Sequence, residues 1–108
     1  MDWRSEIQAE LARAQQARAR GNEGQARVCA RRAAGIAAHQ YFARRGEPAH
    51  KSSAYDVLRL VAQDMAVSPD LREFATHLTL RVDQQFKLPE DIDLLAETAD
   101  FCRKLLGD

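Results

Sequence analysis

The chain has 108 residues, of which 45% are hydrophobic and 30% charged, with only three Pro and five Gly. This is enough for one domain with a core of its own, and the balance excludes a disordered or fibrous chain. Formal net charge is zero, which argues against a protein that grips nucleic acid by bulk positive charge.

A first helix is expected from about Trp3 to Arg20, because Trp3, Ile7, Leu11, Ala14 and Ala17 recur at three- and four-residue steps. Trp3 reads as its anchor on the rest of the molecule. Gly21 ends this helix. Asn22 is placed to cap the next one, with Gln25 three residues on in the capping-box position.

The second helix should run from about Glu23 to Arg45 and close at Gly46 and Pro48. Ala26, Cys29, Ala30, Ala33, Ile36, Ala37 and Tyr41 form one apolar face, and Val28, Gly35, Ala38 and Phe42 cluster on the far side. A helix that is apolar on two sides has two partners. It is therefore the central element, with its second face covered by another helix or by a second subunit. Val28, Gly35, Ala38 and Phe42 are the candidate dimer or partner interface.

Ser53 and Asp56 mark the start of a third helix with Val57, Leu58, Val61 and Met65 on its inner face. Ser68-Pro69 opens a fourth. Its core positions are Leu71, Phe74, Ala75, Leu78, Val82 and Phe86, and Leu88-Pro89 breaks it. Glu90, Asp91 and Asp93 lie near the positive end of a last helix that continues through Ile92, Leu95, Ala96, Ala99, Cys102 and Leu106, with Arg103 and Lys104 at its negative end. No strand-like alternation competes with these assignments. The fold class is all-α: an up-and-down bundle of four to five helices in a single domain spanning 1–108.

No stretch approaches the roughly 20 apolar residues of a membrane span. Residues 1–6 lack the apolar core of a signal peptide. A cytoplasmic protein without membrane association is expected. Cys29 and Cys102 sit in helical patterns with no CxxC partner and read as small buried hydrophobes, with a disulfide between them left open.

The zero net charge hides an asymmetry. Residues 1–50 hold nine Arg against five acids, and residues 51–108 hold seven Lys or Arg against eleven acids, so the halves carry +4 and −4. Either basic and acidic helices lie side by side, within the bundle or across a dimer, or a basic face meets phosphate.

The segment from Gly21 to Gly46 reads Gly-Asn-Glu-Gly-Gln-Ala, then Ala30-Arg31-Arg32-Ala33-Ala34-Gly35, and ends Tyr41-Phe42-Ala43-Arg44-Arg45-Gly46. It resembles the HEPN helical domains of bacteria and archaea, and in architecture the likeness extends over nearly the whole chain. The resemblance implies a four-helix bundle, often dimeric, that either pairs with a small nucleotidyltransferase in a toxin-antitoxin system or acts as a metal-independent ribonuclease. Catalytic members carry an Arg followed after four to six residues by a His. Arg72 and His77 have that spacing here, and Glu73 departs from the pattern by placing a carboxylate beside the Arg. In such a site the imidazole moves the proton of a ribose 2′-hydroxyl while the guanidinium holds the phosphate. With thirteen Arg in the chain, all three histidines have an Arg at a comparable distance, so spacing alone does not single out this pair.

Arg32 and His39 share one side of the second helix and form a candidate nucleotide- or phosphate-binding pair. His39, His50 and His77 fall on different segments, and no His or acid pair has metal-binding spacing. No metal or cofactor is expected. The function these readings favour is a non-catalytic HEPN-like interaction module that dimerises and binds a protein partner, such as a nucleotidyltransferase, or a nucleotide. The alternative is a small ribonuclease using Arg72 and His77, with RNA as a partner that net charge does not support.

Overall fold

Local capping chemistry sets the helix limits. The computed structural model describes residues 2–47, 52–79 and 94–107. They form α1 (Trp3–Ala19), α2 (Glu23–Arg44), α3 (Ala54–Gln63), α4 (Pro69–Thr79) and α5 (Leu94–Leu106), with no strand among the described residues. Gly21 and Gly46 adopt positive φ of 77° and 72°. Each lets the chain close a helix with paired backbone bonds: Asn22 N–H to Ala17 O and Gly21 N–H to Arg18 O, then Glu47 N–H to Phe42 O and Gly46 N–H to Ala43 O. The side chains of Asp2, Asn22 and Ser53 accept from the backbone N–H groups of Ser5, Gln25 and Asp56 at 2.8, 3.0 and 3.1 Å. The capping box is half formed, since the Gln25 amide donates to Cys29 Sγ at 3.6 Å instead of returning to Asn22. Val82, Phe86, the Leu88-Pro89 break and Ile92 lie outside the described residues.

α2 is the centre of the molecule, packed against α1, α5 and α3. Ala26, Ala30, Ala33, Ala34, Ala37 and Ala38 have no exposed surface, so neighbouring backbones approach α2 at the short end of helix spacing. Gly35 marks the closest approach: a Cβ there would lie 2.6 Å from Ala54 Cβ and 2.9 Å from Ala54 Cα. Apart from Phe42, the large core side chains come from the other helices. Phe101, Leu58, Val57 and Val61 are essentially buried, and Phe101 meets Phe74 with ring centroids 5.5 Å apart. Burial of each such side chain stabilises the fold by about 1.5–3 kcal/mol. Thr98 is the one wholly buried polar residue among the described residues, and its Oγ1 donates back to Leu94 O at 2.6 Å.

The second apolar face of α2 is covered from within the chain. Gly35, Ala38 and Phe42 are buried and Val28 is half-buried, with α3 lying over Gly35. At Gly35 the cover expected from another helix or a second subunit is supplied by α3, while Ala38 and Phe42 are buried within the chain and Val28 is half-buried. Direction reverses at the short α1–α2 and α3–α4 turns. α3 runs beside α2 in the same sense, its first residue against Gly35 and its C-cap Asp64 bound to Arg45.

Two assignments are corrected. Met65 is 79% exposed and outside α3. Asp64 caps α3 by donating its backbone N–H to Val61 O at 3.1 Å, and its carboxylate accepts from Ala66 N–H at 2.9 Å in a turn that carries the backbone away before Met65 could reach the core. On α5, Ala96 is exposed, while Leu94, Thr98, Phe101 and Leu105 join Leu95, Cys102 and Leu106 inside. The buried stripe is broader than the expected one because α5 packs against α2 and α4 as well as α1.

The charge asymmetry has a structural use. Arg31 Nε donates to Leu78 O of α4 at 2.9 Å, and Arg44 Nη1 donates to Leu106 O at 2.7 Å at the end of α5. Arg45 binds Asp64 at the end of α3, at 2.5 Å. Arg44 and Arg45 from the basic half thereby meet the carboxyl-terminal, partially negative ends of α5 and α3, and Arg31 ties α2 to the main chain of α4 in the acidic half.

Candidate functional site

The pairs singled out by spacing are not assembled. Five residues on a helix separate Arg72 and His77 by about 140° around the axis and about 7.5 Å along it. Arg72 turns back toward the start of α4, where Nε donates to Val67 O at 3.1 Å and Nη1 to Met65 Sδ at 3.2 Å. His77 Nε2 lies 3.9 Å from Glu73 Oε1, one turn away on the same helix. The guanidinium serves the α3–α4 turn and the imidazole a surface carboxylate, so the two do not enclose a common phosphate position.

Arg32 and His39 lie about 10 Å apart along α2. Arg32 is exposed. His39 is part-buried with Nε2 2.9 Å from Ser52 O. A carbonyl oxygen only accepts, so Nε2 carries the hydrogen and the ring fastens α2 to the residues leading into α3. His50 lies outside the described residues.

Both cysteines are buried free thiols. Cys102 Sγ donates to Ala33 O at 3.7 Å, and desolvation pushes its pKa up to about 12, which makes it a packing group without thiolate reactivity at neutral pH. Among the described residues no group of three His, Cys, Asp or Glu is placed to hold a metal ion.

What the fold does build is a groove between α1 and α5. The two helices flank α2 and touch each other only sparingly, leaving an open trough of about 260 Å³. From α1 it is lined by Trp3, Arg4, Ile7, Gln8 and Leu11, two interleaved stripes at four-residue steps. From α5 it is lined by Ala99, Cys102, Arg103 and Leu106. Ile7, Cys102 and Leu106 form a floor that is closed from below, and Leu11 and Ala99 are half-buried along it.

The rim of this groove is cationic. At one end the Trp3 ring has the Arg4 guanidinium carbon 4.9 Å and the Arg44 guanidinium carbon 5.4 Å from its centroid, within cation–π range. Arg103 is well exposed and pairs with Asp100 one turn back. None of the nine described residues lining the groove is an acid. A second trough of about 340 Å³, between the end of α2 and the start of α4, holds both Lys104 and Asp70 and has no comparable uniformity of charge.

Sequence reasoning reads Trp3 as an anchor and Arg103 as a helix-end charge, and gives Arg4 and Arg44 no part in a site. The available signal was the Trp3–Arg4 pair heading the Ile7–Leu11 stripe. Its meaning depends on α5 lying alongside, which spacing within α1 does not determine.

The fold therefore defines a class, a small all-α bundle organised around one alanine-rich helix. No protein family, curated protein or solved structure matches this chain. No helix among the described residues is long and apolar enough to cross a membrane.

Proposed function

We propose that the chain is a non-catalytic HEPN-like binding module of the cytoplasm whose binding site is the groove between α1 and α5. The observation that carries this reading is the groove's composition: an apolar floor drawn from two helices under a rim of guanidinium groups, the usual make-up of a site that holds a ligand by its apolar body and orients it by a few polar contacts. The same reading is supported by the dispersal of the groups a ribonuclease would bring together, since Arg72 is held by Val67 O and Met65 Sδ. The homodimer and the nucleotidyltransferase partner that the HEPN resemblance implies belong to this proposal in a restricted form. They require a docking face outside the apolar sides of α2, which α1, α3 and α5 fill.

Amide and indole chemical-shift mapping of the ¹⁵N-labelled chain against a library of small ligands tests the site. Shifts concentrated on the Trp3 indole N–H and on Ile7, Leu11 and Ala99 are expected. Shifts centred on His39 or His77, or none at all, would overturn it.

A further inference from the structure

We propose that the α1/α5 groove selects a small amphiphilic anion: an alkyl or aryl carboxylate whose apolar body lies along Ile7, Leu11 and Leu106 and whose head group meets Arg103 and Arg4. This inference rests on the reading of the groove as a binding site and assigns the chemical class of its ligand.

Size points to a small molecule as the occupant of the trough itself. A stable protein interface engages about 20–30 residues a side, whereas nine residues line this trough. Its volume of about 260 Å³ lies just below the range of about 300–1,000 Å³ found for drug-sized ligands. The occupant is a small molecule.

Charge then chooses among small molecules. A cation would find no carboxylate on the described lining, and the aromatic face that could receive it, Trp3, is already covered by Arg4 and Arg44. A neutral apolar molecule would use the floor and gain nothing from the rim. An anion uses both. A guanidinium has five N–H donors in a fork that matches a carboxylate, and the bond from Arg103 Nη2 to Asp100 occupies one of them. Arg103 also stands beside Leu106 on the same face of α5, so one ligand can reach floor and rim together.

Trp3 is the single tryptophan of the chain and lines the groove, so its fluorescence reports occupancy directly. The experiment titrates the full chain with decanoate, decanol and decyltrimethylammonium, the two ionic probes below their micellar concentrations and decanol below its solubility limit. Decanoate is expected to saturate the signal with a Kd at least about tenfold below that of decanol, the preference one charge-assisted hydrogen bond gives. The ammonium is expected to bind weakest. Arg103→Gln, on an exposed position that leaves folding intact, should erase most of the decanoate preference while decanol affinity stays unchanged. Ala99→Leu, checked for native circular dichroism, should weaken both by filling the trough. Equal affinity for decanoate and decanol, or an unaltered preference in Arg103→Gln, overturns the assignment of an anionic ligand and leaves the groove reading standing. Failure of all three probes to bind overturns both.

Discussion

The contact between Gly35 and Ala54 converts the central position of α2 into a measurable energy. In an open helix Gly→Ala stabilises by about 1 kcal/mol through helix propensity. At Gly35 the added methyl would stand 2.6 Å from Ala54 Cβ and 2.9 Å from Ala54 Cα, and a backbone atom cannot swing aside as a side-chain tip can. Overpacking of this kind destabilises by about 1–3 kcal/mol or more. Because backbone has to move, the steric term is placed at the upper end, and Gly35→Ala is expected to lose about 1–2 kcal/mol net. That loss lowers Tm by about 4–8 °C for a domain of this size.

Gly24→Ala supplies the control, since it lies in the same helix with nothing nearer than Asn22 Oδ1 at 3.8 Å. It should gain about 0.5 kcal/mol. Urea unfolding followed by circular dichroism measures both. Adding Ala54→Gly to Gly35→Ala should recover part of the loss by removing the nearer of the two contacts, leaving the one to Ala54 Cα. A Gly35→Ala protein as stable as wild type, or a double variant that shows no coupling, would refute the packing of α3 on α2.

Three further outcomes follow from the geometry. The Asp64 carboxyl is held below the ordinary carboxylate pKa, first by the Ala66 N–H and then by Arg45. Its stabilisation is therefore present above the unfolded value of about 3.9 and is lost as pH falls through the lower folded value. Asp64→Asn should be less stable than wild type at neutral pH, with the difference closing below about pH 4 in urea titrations; a pH-independent difference would contradict the carboxylate's role. Cys29 and Cys102 should resist a disulfide reagent such as DTNB in the native state and react together once urea unfolds the chain, whereas rapid native labelling of Cys102 would mean its burial is misassigned. RNA incubated in EDTA should survive equally with wild type and His77→Ala, and cleavage abolished by that substitution would restore the Arg72–His77 pair as a catalytic unit.

Helix limits are legible in this sequence because they depend on neighbours in the chain. Gly21, Asn22, Gly46 and Ser53 end or begin helices through bonds spanning three to five residues, and all act as their types predict. The two apolar faces of α2 are legible for the same reason, since periodicity reports that a face is buried. It does not report by what, and α3 rather than a second chain covers Gly35. Met65 follows the four-residue step from Val61, yet the backbone turns at Asp64 before that step is completed. Arg72 shows a further limit: a long guanidinium goes to the nearest acceptors, here Val67 O and Met65 Sδ, and no spacing rule names them. The groove is the least legible feature, because it arises where α1 and α5, far apart in the chain, fail to meet closely.

The arginines that grasp the main chain of α4 and of α5 bear on how the sequence can drift. Arg31 and Arg44 bind main-chain oxygens of Leu78 and Leu106, and every residue type offers that same oxygen. Substitution at 78 or 106 leaves the acceptor in place, so the clasp itself makes no demand on the side chain there. The donors have no such latitude, because a lysine presents a single compact ammonium where the planar fork reaches sideways. Mutational pressure on each of these clasps falls on one partner alone.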